Sequence, residues 1–140
     1  MAYRGSVCLI LFHKPGFDLD QAFRALSVCS ELCVTRKPDA VAQLAVQMPG
    51  DPMLTISYQC GPATQRWIAP LGERTRHAEA VALCDACFMI HTDDLRAILE
   101  ASNSLTVVQR VLVQATRGFQ YTLWEDNLRS CEEMTRSSSP

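Results

Sequence analysis

The chain has 140 residues, of which 48% are hydrophobic and 20% charged, and its 13 basic and 15 acidic side chains leave a formal net charge of -2. This length supports one domain with one core, and the hydrophobic fraction argues against disorder. The near-neutral charge offers no concentrated basic surface, so we expect neither nucleic acid nor an anionic membrane as a partner.

A strand and a helix are predicted first. The continuous apolar run over residues 7–12 is too short to span a bilayer and predicts a strand covered on both faces, in the middle of a sheet. Asp18, followed three residues later by Gln21, is a capping-box signal for the start of a helix. Apolar side chains then keep a helical period as far as Cys33, so we expect this helix to lie on the sheet.

Two segments of alternating polarity follow, over residues 42–48 and 53–60. The sequence Pro-Gly-Asp-Pro at residues 49–52 separates them, and these residue types favour a chain reversal. The pattern therefore predicts a β-hairpin.

The segment over residues 61–77 has proline or glycine at four positions and no sustained period. We predict a short strand around Trp67, followed by a helix from about residue 73 to residue 83. A further strand is predicted over residues 86–91.

The last part of the pattern predicts two helices and a strand. Thr92 or Asp93 caps the first helix, Gly118 ends the second, and the strand covers residues 119–124. The element order predicts a single α+β domain over residues 1–126, a sandwich with a mixed, mainly antiparallel sheet and helices chiefly on one face. Residues 127–140 are polar and end in three serines and a proline, which predicts a flexible C-terminal tail.

The seven cysteines are odd in number, and most lie in apolar periodic segments rather than in loops. Disulfide frameworks prefer small secreted chains with even counts, so we expect reduced thiols in a cytoplasmic protein.

Cys84, Cys87 and His91 have spacings that a zinc site can use. A structural zinc needs a fourth ligand, and both cysteines lie in segments with a buried pattern, so core packing is the preferred interpretation. Zinc binding and redox use of the C-x-x-C pair stay open as alternatives. We expect no metal and no cofactor. A small thiol- or metal-dependent enzyme that uses these three residues is the alternative function.

No G-x-S-x-G elbow, G-x-G-x-x-G loop or P-loop is present in the sequence, so no catalytic residue is predicted. The segment over residues 61–77 instead gathers residue types that dominate binding hot spots. It predicts a partner-binding site made of Arg66, Trp67, Arg74, Arg76 and His77. The alternative is that Trp67 fills the edge of the core while the arginines are solvated.

Four segments together resemble small bacterial α/β domains of unknown function that are found near secretion and toxin–immunity systems. They are PGFDLDQAF at residues 15–23, MPGDPMLTISYQCGPATQRW at 48–67, LCDACFMIH at 83–91 and RGFQYTLW at 117–124. The resemblance implies a cytoplasmic α/β protein that acts by binding another protein, as an immunity-type inhibitor or a secretion accessory.

Overall fold

The computed structural model describes residues 6–36, 43–101 and 104–137. Over these residues the backbone forms one antiparallel sheet of seven strands and six helices. The strands are β1 (Cys8–Phe12), β2 (Cys33–Arg36), β3 (Leu44–Gln47), β4 (Leu54–Cys60), β5 (Ala86–Thr92), β6 (Phe119–Thr122) and β7 (Asn127–Ser130). The helices are α1 (Leu19–Ser27), α2 (Pro62–Gly72), α3 (Ala78–Ala82), α4 (Leu95–Ala101), α5 (Ser104–Thr116) and α6 (Cys131–Ser137). The predicted α+β class with a mainly antiparallel sheet is therefore confirmed.

The strand order is β2-β3-β4-β5-β1-β6-β7, which places β1 inside the sheet between β5 and β6. All five residues of β1 are buried, as its continuous apolar run predicts. Because side chains alternate along a strand, Ile10 contributes to one core cluster and Leu9 to another on the opposite face. The sheet is thus covered on both faces.

The larger core cluster lies where α1, α4 and α5 cover the sheet. Aromatic rings from β1, β5 and the loop before α1 meet there: Phe12 stacks on Phe88 with ring centroids 5.1 Å apart, and Phe17 meets Phe12 edge-on at 5.9 Å. Gly118 links α5 to β6 at this point. A Cβ atom at Gly118 would lie 2.2 Å from the Leu11 carbonyl oxygen, so only glycine fits this approach of the two backbones.

The smaller core cluster lies on the opposite face, under α2 and α3. Ile68 of α2 and Val81 of α3 pack with Leu9 and Leu11 of β1. Gly72 ends α2 against α3, and a Cβ atom there would lie 2.7 Å from Val81 Cβ. The two helices therefore form one closely packed layer.

Three local predictions are wrong. The first helix ends at Ser27, and Cys33 begins strand β2, because the chain turns after Val28 and pairs residues 33–36 with β3. The region around Trp67 is the helix α2 rather than a strand. The second predicted helix is shorter than expected and covers only Ala78–Ala82.

The predicted flexible tail is also wrong for residues 127–137, which form β7 and α6. Strand β7 pairs with β6 along its whole length, with Leu128 opposite Tyr121. Leu128 is buried in the smaller core cluster, and Cys131 and Met134 pack against the larger one. Apolar side chains at only a few positions are sufficient to dock this end of the chain. Residues 138–140 of the predicted tail lie outside the described part.

Candidate functional site

Helix α2 carries the first two residues of the predicted binding site. It begins with Pro62 directly after Gly61, whose φ of 117° is readily adopted only by glycine. Thr64, Ile68 and Gly72 are its buried residues, spaced four apart along one side. Arg66 therefore lies on the outer side of the helix, and Trp67 lies on its flank.

Trp67 is half-buried and packs against the smaller core cluster. The structure thus combines the two interpretations of this residue, because part of the indole contributes to the core and part stays accessible. A partner can reach only the outer part of the ring.

The three arginines of the predicted site are all exposed. Arg66 donates a hydrogen bond from Nε to the Pro62 carbonyl oxygen, 3.4 Å away in its own helix. Arg76 lies 3.2 Å from Glu133 in an ion pair between Nη2 and Oε2, yet 70% of its side chain is exposed. Exposed ion pairs contribute little to stability, so these guanidinium groups stay available for contacts.

His77 is oriented inward. Its Nε2 lies 2.6 Å from Glu133 Oε1, its ring centroid lies 5.3 Å from that of Phe119, and only 19% of the side chain is exposed. The structure therefore groups His77 with Arg76 and helix α6.

Glu133 is the residue of this region that the sequence analysis missed. Its carboxylate accepts a hydrogen bond from the Ser130 backbone N–H at 2.9 Å, while the Glu133 N–H donates to Ser130 Oγ at 3.2 Å. This reciprocal pair is a capping box, and the spacing of Ser130 and Glu133 is its sequence signal. Mainly through the Ser130 N–H, and further through His77, the pKa of Glu133 falls to about 2, although partial burial opposes the shift.

The outer surface of the α2 and α3 layer combines small apolar residues with charged ones. We call it the α2–α3 face, and its exposed residues are Pro62, Ala63, Arg66, Pro70, Glu73, Arg74, Arg76, Glu79, Ala80, Ala82 and Leu83. Leu83 is 67% exposed. A hydrogen bond of 3.0 Å from Gln65 Nε2 to the Ala82 carbonyl oxygen joins the start of α2 to the end of α3. Leu83 therefore lies close to the first turns of α2.

The helices on the other face of the sheet have polar outer surfaces. The exposed positions of α1 include Asp20, Arg24 and Ser27, and those of α5 include Thr106, Arg110 and Gln114. Polar residues on the outside are the ordinary pattern for a surface helix. The α2–α3 face departs from that pattern.

The structure does not bring Cys84, Cys87 and His91 together as a site. Cys87 and His91 are four residues apart on β5, which separates them by about 13 Å at roughly 3.3 Å per residue. His91 Nε2 lies 3.5 Å from Ser6 Oγ. Among the residues that the structure describes, no three His, Cys, Asp or Glu side chains gather in a way that could hold a metal ion.

Both thiols of the C-x-x-C pair are buried in the smaller core cluster. Burial is the main cause that raises the pKa of Cys84 to about 12 and the pKa of Cys87 well above its ordinary value. A thiol must lose its proton to act as a nucleophile or a metal ligand. This environment favours packing over chemistry for both residues.

None of the helices in the described part of the chain is long and apolar enough to cross a membrane. Comparison with known proteins found no family model, no curated protein and no solved structure that matches this chain. Function is therefore inferred from the geometry of the chain's own residues.

Proposed function

We propose that this chain is a non-enzymatic protein-interaction module that binds its partner through the α2–α3 face. One observation carries the proposal: the outer surface of this layer combines exposed prolines, alanines and Leu83 with Arg66 and Arg74. The core of a protein interface is enriched in aromatic residues, methionine and arginine and depleted of lysine, glutamate and alanine. Arg66, Arg74 and the neighbouring Trp67 fit that composition, and Glu73 and Glu79 are the exposed acidic residues of the same layer.

The energetics of exposed apolar surface support the same conclusion. Contact with water gives no stabilisation to Leu83, whereas its burial against a partner would contribute roughly 1.5–3 kcal/mol. Trp67 adds the outer part of its ring, and Arg66 adds a charged group that bonds carboxylates in a fixed geometry. Tryptophan and arginine are residue types that are enriched in hot spots.

The charge of this face indicates the chemistry of the partner. The three exposed arginines, Arg66, Arg74 and Arg76, outnumber the two exposed glutamates of this layer, Glu73 and Glu79. Of the three arginines, only Arg76 is paired with a carboxylate in the ion pairs that the described residues form. The complementary surface is therefore a protein with an apolar patch bordered by acidic side chains. The sequence resemblance makes a toxin or a secretion component, met in the cytoplasm, the first partner to test, which would make this chain an immunity-type inhibitor or a secretion accessory.

Site-specific photo-crosslinking tests the proposal. A photoreactive amino acid replaces Ala63 on the α2–α3 face, and a matched control chain carries it at Gln114, exposed on α5 across the sheet. We expect a defined crosslinked protein from the native host at position 63 and none at position 114.

Arg66→Glu should weaken that crosslink by about tenfold or more, because it places a negative charge opposite the acidic side chains of the partner. Arg110→Glu on α5 should leave the crosslink unchanged. Circular dichroism verifies that each variant is folded. Equal labelling at positions 63 and 114, or an unchanged crosslink in Arg66→Glu, would contradict the proposal.

A further inference from the structure

A second candidate site lies on the opposite face of the sheet, at the edge formed by β6 and β7. A groove of about 220 Å³ opens there between the sheet and the helices α4 and α5. It is independent of the α2–α3 face, which covers the other side.

The floor of the groove is polar at a position where the rest of this face is apolar. Gln120 pairs with Ile10, and Thr122 pairs with Cys8, so both point toward the same face as these two core residues. Gln120 is only 8% exposed and Thr122 only 4%. Buried polar side chains are costly unless they are hydrogen-bonded. Thr122 Oγ1 donates to the Asn127 carbonyl oxygen at 3.4 Å, so the burial of Gln120 is the one that calls for a reason.

The side-chain amide of Gln120 is the group that a ligand in the groove can bind. Its side chain makes no hydrogen bond to another residue in the described part of the chain, whereas every fully buried side-chain nitrogen or oxygen there has a partner. The polar atoms of the Gln120 amide are therefore open to the groove that the residue lines. One acceptor and two donor hydrogens are available for a ligand.

The charged group at the groove is Arg129. Its cross-strand pairing with Gln120 places both side chains on one face of the sheet, and Arg129 forms no ion pair within residues 6–36, 43–101 and 104–137. A guanidinium group binds a carboxylate with two parallel hydrogen bonds. Arg129 and the Gln120 amide together can hold a carboxylate and an adjacent amide group.

The walls of the groove are mixed. Ile98 and Leu105 line it from the helix side together with Thr106 and Gln109, and Trp124, 36% exposed, adds a third apolar side chain. The indole Nε1 of Trp124 donates to Glu125 Oε1 at 3.2 Å, which holds the ring at the rim.

We propose that this groove binds the carboxylate of an acylated apolar amino acid, with Arg129 on the carboxylate, Gln120 on the acyl amide and Ile98, Leu105 and Trp124 on the side chain. Two sources share this chemistry: the C-terminal residue of a protein or peptide, and a free acylated amino acid.

Calorimetric titration of the full-length chain tests the proposal with N-acetyl-leucine and acetyl-Ala-Ala-Leu, each compared with its C-terminal amide. Both acids should bind saturably, and their amides should bind about tenfold more weakly because the guanidinium–carboxylate pair is lost. Trp124 supplies a local readout, since in a Trp67→Phe chain it is the sole tryptophan and its emission should shift with the acids. Tighter binding of the tripeptide supports the proposal with protein C-termini as the source, and tighter binding of N-acetyl-leucine supports it with a free metabolite.

Variants sharpen the result. Arg129→Gln should lose about tenfold or more in affinity for the acids and Arg129→Lys less, because lysine keeps the charge without the paired hydrogen bonds. Arg110→Gln, exposed elsewhere on α5, is the matched control and should bind as wild type does. Gln120→Leu tests the amide contact. Absence of saturable binding, equal affinity for acids and amides, or unchanged affinity in Arg129→Gln would overturn the proposal.

Discussion

Trp67 and Arg66 are neighbours in the sequence with different physical roles. Truncation of a fully buried aromatic side chain costs about 3–5 kcal/mol, and Trp67 is half-buried against the smaller core cluster. We therefore expect Trp67→Ala to lower the free energy of unfolding by about 2 kcal/mol. Arg66→Ala removes an exposed side chain and should change it by less than about 0.5 kcal/mol. Urea denaturation of both variants measures the difference.

Arg24→Ala, which changes an exposed arginine on α1, is the control for a loss of surface charge. A wild-type midpoint for Trp67→Ala would mean that the indole does not pack on the core. A large loss in Arg66→Ala would mean that this arginine stabilises the fold. Because the expected costs differ, binding losses are best assigned with Arg66, whose substitution leaves the fold intact.

Helix α6 depends on the carboxylate of Glu133, and this makes its docking sensitive to acid. Hydrogen bonds, first from the Ser130 N–H and then from His77, lower the pKa of Glu133 from its ordinary value of 4.5 to about 2. A carboxyl group whose folded-state pKa is lowered contributes stability above its unfolded pKa and loses that contribution as the pH falls through the folded pKa. We expect the stabilisation from Glu133 to be complete above pH 4.5 and to disappear between about pH 4.5 and pH 2.

The test compares the free energy of unfolding of wild type and Glu133→Gln across that range. The variant should be less stable than wild type at neutral pH, and the gap should close as the pH falls toward 2. Glu132→Gln, one residue away and exposed on the same helix, should show no such gap. A wild-type to Glu133→Gln gap that stays constant with pH would show that the capping box does not act through its charge.

The sequence predicts elements well where one pattern dominates. Strand β1 follows from a continuous apolar run, and α1 begins where Asp18 accepts a hydrogen bond from the Gln21 N–H at 3.2 Å, as its capping-box signal indicates. Strand β2 was missed because Cys33 continues the helical period by chance, while its pairing with β3 is a non-local contact. The prolines and glycines of residues 61–77 conceal helix α2, although Pro62 occupies the first helical position, where proline fits.

The candidate sites likewise depend partly on local sequence patterns and partly on contacts between residues that are far apart in the sequence. The sequence marks Arg66, Trp67 and Arg74 through residue type alone. The partner of His77 lies 56 residues later, at Glu133, so no local pattern links them. The groove at Arg129 requires strands β6 and β7 to pair. The polar composition of residues 127–140 predicts a flexible tail and therefore gives no sign of that pairing.

At the scale of the whole molecule, the two core clusters share one sheet. Strand β1 contributes Ile10 to one cluster and Leu9 to the other, and β5 does the same with Phe88 and Met89. Because neither β1 nor β5 can lose its order without exposing both clusters, we expect the chain to unfold as a single cooperative unit.

The two tryptophans report on opposite faces of the sheet: Trp67 packs on the smaller cluster, and Trp124 lines the groove on the other face. In the single-tryptophan variants Trp67→Phe and Trp124→Phe, the fluorescence transition in urea should coincide with the transition of the same variant measured by far-ultraviolet circular dichroism. The midpoints of the two variants can differ through the substitutions themselves, so the comparison is made within each variant. A fluorescence transition that precedes the loss of secondary structure in only one variant would show that the face carrying that tryptophan unfolds on its own. The predicted single domain would then divide into two units that share a sheet.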